Sequence, residues 1–191
     1  MGHREDLLMG AKRCLYERGY GRTTARDIVA ASKTNLGSIG YHFGSKEALL
    51  TTAIIDSFGE WGEELDTVMS ALSTDVDPEG DQLERFETAC TLLVESFATH
   101  RTLWVSAMEA FAQAEHIPEV REQLAAGFEE TRRGLVAGIQ KLSPNADERT
   151  ARTIASLVVA MLPGLALQWL LEPEHAPTGA DIGEALRVML D

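Results

Sequence analysis

Residues 36–50 read LGSIGYHFGSKEALL. Three glycines, a Tyr-His-Phe triplet and a lysine crowd together just ahead of a helical run of apolar side chains. Three chemistries use glycine in this density. A phosphate-cradling loop needs a glycine, four residues and then Gly-Lys-Ser/Thr after a strand. Here the order is Gly44-Ser45-Lys46, and the preceding segment is helical in pattern. A nucleophile elbow needs Gly-x-Ser-x-Gly on a strand-to-helix turn, and Gly37-Ser38-Ile39-Gly40 has the wrong spacing. A third candidate is the reading edge of a DNA-binding helix; the plain alternatives are an unoptimised surface helix, or an enzyme site assembled from residues distant in the chain.

That third reading satisfies more of the residues at once. Asn35 is suited to cap a helix whose Leu36, Ile39 and Phe43 recur at i, i+3 and i+7 and so turn toward a core. Asn35, Gly37, Ser38, Tyr41 and His42 then face outward near a helix start, where free backbone N–H groups favour phosphate. Gly37 and Gly40 each cost a helix about 1 kcal/mol relative to alanine, so two of them in so short an element ask for a reason such as close backbone approach to DNA.

Working outward, Arg4 to Arg18 repeats apolar residues at Leu7, Leu8, Ala11, Cys14 and Leu15, a first helix that stops at Gly19. Thr24-Ala-Arg-Asp27 has the form of a capping box, opening a short second helix through about Ala31. On the other side Ser45 caps a long fourth helix with a stripe of Leu49, Leu50, Ile54, Phe58, Trp61, Leu65, Val68 and Leu72. Ser73 to Asp81, with Pro78 and Gly80, reads as a loop. Helical periodicity resumes over roughly 82–100, 102–115 and 118–142. A turn at Ser143-Pro144-Asn145 precedes a helix from about 146 to 171, and a last one covers about 179–190. No useful strand alternation appears, and the fold class is all-α.

Ile154 to Leu171 is apolar enough to raise a membrane span. Pro163-Gly164 interrupts it and acidic residues and prolines follow, so a helix buried at a subunit interface is the better reading. Charge distribution sharpens the division. The 191-residue chain carries −13 overall, yet residues 1–50 hold eight Lys and Arg against five Asp and Glu, leaving −16 on the remainder. A basic head on an acidic body is the pattern of a protein that repels DNA except where the head docks. Cys14 and Cys90 build no disulfide framework, no signal segment opens the chain, and a reducing cytoplasmic setting fits. The histidines at 3, 42, 100, 116 and 175 never pair at i, i+3 or i+4 and no Cys-x-x-Cys occurs, so no metal site and no cofactor is expected.

The strings TTARDIVAAS (23–32) and KTNLGSIGYHFGSKEALL (33–50) resemble the DNA-binding head of the TetR family of transcriptional regulators, over about residues 5–52. The resemblance implies an N-terminal three-helix head with a helix-turn-helix, residues 1–47, followed by a larger helical ligand-binding and dimerisation body, residues 48–191. It implies that Thr24 caps the second helix and touches phosphate, with Lys33 and Thr34 in the turn doing the same. Leu36, Gly37 and Ser38 fall at base-reading positions, Tyr41 and His42 at backbone-clamping ones, and Lys46 within reach of phosphate. Gly40 departs from the family, which often has a tyrosine there, so operator preference does not transfer. The resemblance further implies a homodimer through the last two long helices, about 146–171 and 179–190, bound to a near-palindromic double-stranded operator with half-sites about 34–36 Å apart. A small-molecule effector would sit among Trp61, Phe86, Phe97, Trp104, Met108, Phe111, Phe128 and Met161; Glu95 and Glu109, on the same helices, read first as a solvated face and otherwise as partners for a cationic ligand. The expectation is a ligand-released repressor and no enzyme; the alternative is a constitutive regulator whose body only dimerises.

Overall fold

The computed structural model describes residues 3–73, 82–142 and 146–190, and every regular element among them is an α-helix. In chain order these are α1 (His3–Arg18), α2 (Ala25–Ser32), α3 (Leu36–Phe43), α4 (Lys46–Ser73), α5 (Gln82–Ser96), α6 (Arg101–Ala114), α7 (Pro118–Leu142), α8 (Glu148–Leu171) and α9 (Gly179–Leu190). The all-α reading holds, with helix ends within a few residues of those read from periodicity. Ser73 closes α4 rather than opening a loop; the expected loop over 74–81 and the turn at 143–145 lie outside the described residues, as does the side chain of Leu72.

Local chemistry starts and stops the first helices. α1 ends at Gly19, whose φ of +79° is open to glycine without strain and whose N–H donates to the Leu15 carbonyl at 2.8 Å. α2 opens on a complete capping box. The Asp27 N–H donates to the Thr24 hydroxyl oxygen at 3.2 Å, and the Thr24 N–H donates to the Asp27 carboxylate at 2.9 Å. α3 opens on Asn35, whose side-chain oxygen accepts from the Ser38 N–H at 3.1 Å, and α4 on Ser45, which accepts from the Ala48 N–H at 3.0 Å.

The described helices pack as two compact units, Met1–Gly59 with Thr102–Val159, and Glu60–Arg101 with Ala160–Asp191. The core of the first gathers Leu7, Ala11, Cys14 and Leu15 of α1, Ile28 of α2, Ile39 and Phe43 of α3, Leu49, Leu50 and Ile54 of α4, and Leu103 and Ala107 of α6. α1 and α2 touch through Gly10: a Cβ there would lie 2.7 Å from the Ser32 Cβ and 3.0 Å from the Ile28 carbonyl. Lys12 is buried in this unit and reaches the Asp56 carboxylate at 2.5 Å, an ion pair joining α1 to α4. In the second unit α5 and α9 lie side by side, joined by an Arg187–Glu87 ion pair at 2.6 Å. There the Trp61 indole N–H donates to the Ser96 hydroxyl at 3.1 Å, and Phe97 meets Trp169 edge to face.

One expectation about an apolar face changes. Leu36 is 52% exposed while Ile39 and Phe43 are buried. Spacing identifies a helix face but not how far along that face the core extends, and Leu36 stands in the first turn of a two-turn helix. α8 carries apolar residues on two faces. It turns Ala151, Ala155, Val159, Leu165 and Ala166 inward but leaves Ile154, Leu157, Leu167 and Leu171 exposed, so only 22% of its most apolar window is buried within the chain. Its length and hydropathy would suffice for a membrane span by composition alone. Pro163 within it lacks the N–H that an uninterrupted helix needs.

Candidate nucleic-acid interface

α2, the turn 33–35 and α3 form the helix-turn-helix. The turn is made by Lys33, which caps α2 in the left-handed conformation (φ +57°, ψ +35°), and the Thr34 N–H donates to the Val29 carbonyl at 3.1 Å. Lys33 is the one non-glycine residue with positive φ among those described. A β-carbon there costs roughly 1 kcal/mol that glycine would avoid, while the exposed position displays an ammonium group beside the start of α3.

Of the residues expected to face outward from α3, Asn35, Gly37 and Tyr41 do so, His42 is half-buried, and Leu36 takes the place of Ser38. Leu36, Gly37, Gly40 and Tyr41 are exposed, Tyr41 to 85%, and the Tyr41 ring stands edge-on to His42 at a centroid distance of 4.8 Å. Ser38, expected to face outward, is largely covered, its hydroxyl 3.4 Å from Nδ1 of His3 at the start of α1. No neighbour requires glycine in this helix. A Cβ on Gly40 would meet nothing within 4 Å, and one on Gly37 only the Asn35 side-chain oxygen at 3.3 Å. The smoothness of this face therefore has no internal packing reason.

The remaining predicted DNA residues are placed around that face with differing freedom. Thr24 is exposed, and its hydroxyl both accepts from and donates to Asp27. The hydrogen bonds from the Thr24 hydroxyl and backbone N–H, with Arg18 3.0 Å away, hold the Asp27 carboxyl below the usual carboxylate range. The Thr34 hydroxyl lies 2.7 Å from that of Ser32. Lys46 is engaged within the fold: its ammonium donates to the Thr23 carbonyl at 3.2 Å, pairs with Glu47 at 3.2 Å and stands 5.8 Å over the Tyr20 ring.

Sequence reading missed the side chains that hold this region from outside the helix-turn-helix. His3 and Arg4 come to α3 from the start of α1, Arg4 lying 5.1 Å over the Phe43 ring. Glu109 of α6 accepts from the Gly21 N–H at 2.8 Å, and Glu119 of α7 accepts from the Ser45 hydroxyl at 3.3 Å. Glu109 thus braces the α1–α2 turn in the place where a cationic ligand was envisaged. The hydrogen bonds of His3, Glu109 and Glu119 span 35 to 88 residues of chain, and no local motif announces them.

The candidate effector residues fall into separate groups. Trp104 packs edge-on to Phe58 at 4.8 Å and Phe111 stacks on Phe128 at 5.7 Å in the first unit, where Met108 is half-buried. Trp61, Phe86, Phe97 and Met161 belong to the second unit. Two clefts, one of 350 Å³ at the start of α8 and one of 380 Å³ between Tyr20, Lys46 and Glu109, are lined by none of the eight. Cys14 and Cys90 are buried free thiols, and burial pushes Cys90 up to about 11, which leaves it protonated and unreactive. Among the described residues no group of three or more His, Cys, Asp or Glu is placed to hold a metal.

A capped helix-turn-helix with an exposed, glycine-lined second helix on an all-helical chain defines a DNA-binding regulator. Comparison with known proteins places it further. Residues 7–53 match the profile of bacterial regulatory proteins of the tetR family, and residues 81–191 match that of the tetracyclin repressor-like C-terminal domain. The chain belongs to the TetR family of transcriptional regulators. Over 191 residues it is 26% identical to the HTH-type transcriptional regulator TtgR of Pseudomonas putida, covering 98% of this chain and 90% of TtgR. Across 46 residues, 24% of each chain, it is 44% identical to the HTH-type transcriptional repressor AcnR of Corynebacterium glutamicum. The crystal structure of the multidrug binding protein EbrR complexed with proflavin superposes with a TM-score of 0.64 at 25% identity, over 97% of this chain and 98% of that one. Family and relatives are regulators of transcription, not enzymes.

Proposed function

We propose that this regulator is a homodimeric repressor, held on a near-palindromic operator and released from it by a small molecule. DNA binding resides in residues 1–47, and residues 48–191 dimerise and bind the effector. In this reading Leu36, Gly37 and Ser38 approach the bases, and Tyr41 and His42 clamp the backbone. Thr24, Lys33 and Thr34 touch phosphate, and Lys46 exchanges its contacts with Thr23 and Glu47 for a phosphate oxygen. With few long side chains on α3, methyl contacts, water and DNA shape carry much of the specificity.

The observation that carries the dimer is the apolar face that α8 leaves exposed at Ile154, Leu157, Leu167 and Leu171. Four such side chains on one helix ask for a partner surface. Val188 and Met189 of α9 are exposed as well, which supports pairing through both helices. Leu157→Asp is then expected to raise the dimer dissociation constant at least roughly a hundredfold, since a buried unpaired carboxylate costs several kcal/mol. Sedimentation velocity reads this directly, and an intact dimer in that variant places the interface elsewhere.

Ligand release draws its support from EbrR, a multidrug binding protein complexed with proflavin, and from the aromatic pairs Phe58–Trp104 and Phe111–Phe128. An effector that favours the non-binding arrangement of the heads by about 3 kcal/mol lowers DNA affinity on the order of a hundredfold. The deciding experiment is fluorescence anisotropy of the protein on a duplex it enriches from a random library, titrated with proflavin and a panel of aromatic cations and neutral aromatics. A compound that dissociates the complex at constant salt establishes ligand response. Release by none of them favours a constitutive regulator whose body only dimerises.

A further inference from the structure

We infer that His3, at the first turn of α1, is a positioning residue for DNA sequence reading: it orients the Ser38 hydroxyl of α3. The inference rests on α3 being the DNA-reading helix and adds to it a group from outside the helix-turn-helix. Ser38 is the one polar side chain in the first turn of α3 that is buried in the free chain, and the His3 ring nitrogen stands 3.4 Å from its hydroxyl. The backbone of Ser38 is fixed independently by the Asn35 cap at 3.1 Å. The rotamer of the hydroxyl is the remaining freedom, and His3 is placed to remove it. A serine hydroxyl is both donor and acceptor, so which base edge it prefers depends on what its other bond does. A ring nitrogen that accepts leaves the hydroxyl free to accept from a base, whereas one that donates leaves it free to donate.

The surroundings favour this role over simple phosphate attraction by the end of α1. The first turn of α1 carries Glu5 and Asp6, which oppose an approaching phosphate. Arg4 is turned over the Phe43 ring, 5.1 Å from its centroid, pinning the start of α1 to the C-terminal turn of α3. His3 meets the N-terminal turn of α3 at the Ser38 hydroxyl and is itself exposed.

The test uses the full-length protein, a duplex enriched by the wild-type chain from a random library, and a random-sequence duplex of equal length. His3→Ala is expected to weaken binding to the enriched duplex by about fivefold, the worth of one positioning hydrogen bond, while binding to the random duplex and the melting temperature stay within error. His3→Gln, which keeps a donor and an acceptor at similar reach, is expected to restore most of the loss. Combined with Ser38→Ala, His3→Ala is expected to add nothing further. Equal losses on both duplexes, additive losses with Ser38→Ala, or no loss at all would each overturn the assignment of His3. Failure of the wild-type protein to enrich any duplex would overturn the reading of α3 itself, and so is distinguished from failure of His3 alone.

Discussion

Gly40 in α3 and Gly183 in α9 are both interior helix glycines, and each gives up roughly 1 kcal/mol of helix stability relative to alanine. Their surroundings are opposite. A Cβ on Gly40 would meet nothing within 4 Å, whereas one on Gly183 would lie 2.6 Å from the Glu87 carboxylate, and one on Gly179 only 2.4 Å from the Thr91 backbone nitrogen. In α9 the missing side chains let two helices approach, and the loss is recovered within the fold. In α3 nothing inside the molecule recovers it. Both helices otherwise start on good caps: Asn35 accepts from the Ser38 N–H at the start of α3, and Thr178 and Asp181 form at the start of α9 the same box that Thr24 and Asp27 form at the start of α2. The same residue thus marks internal packing in one place and an external surface in another, and only its neighbours tell which.

The largest expected break of this contrast is Gly179→Val. Backbone atoms of Thr91 cannot yield as a flexible side chain would, so the variant is expected to lose about 3 kcal/mol of stability, read by chemical denaturation. A change below about 0.5 kcal/mol would mean that α5 and α9 are not so close in solution. Next comes Tyr41→Ala on the outward face: about tenfold weaker operator binding, from a truncated contact of roughly 1–2 kcal/mol, with the melting temperature and dimer unaltered. Unchanged affinity would remove α3 from the interface.

Gly40→Ala sharpens the comparison from the other side. With open space around the new methyl, the protein is expected to become about 0.5–1 kcal/mol more stable, and operator affinity is expected to fall if the helix backbone sits close to the groove floor. A stabilised variant with full affinity would assign Gly40 to neither packing nor DNA. The smallest effect belongs to the shared caps. Hydrogen bonds from the Thr24 hydroxyl and backbone N–H, then Arg18, lower Asp27, and those from the Thr178 hydroxyl and backbone N–H lower Asp181. A carboxyl lowered in the folded state contributes stability that is present above its unfolded value near about 4 and is lost as pH falls through the folded value. The wild-type melting temperature should therefore decline more on acidification below about pH 4 than that of Asp27→Asn/Asp181→Asn. Parallel curves would show that these exposed boxes add nothing measurable.

Much of this was legible in the chain itself. Thr24-x-x-Asp27, Asn35, Ser45 and the glycines at 19 and 44 punctuate the head through interactions no more than four residues long, and those act in almost any tertiary context. The Thr178-Gly-Ala-Asp181 box was equally readable by the same rule. Apolar spacing located each helix but overreached at Leu36, and it could not show that Leu165 of α8 turns inward while Leu157 turns outward. The roles of His3, Glu109 and Glu119 depend on residues brought together from 35 to 88 positions away, and charge or polarity alone assigns them to solvent.

The sequence by itself determined where helices begin and end, that no strand was needed, and that the glycine-rich third helix had to answer to something other than helix stability, because caps, breakers and periodicity are local properties. Tertiary structure decided which face of each helix turns to the core, which glycines are forced by a neighbour, and which carboxylates brace the head. Those outcomes depend on distances between segments far apart in the chain, and short-range propensities do not encode such distances.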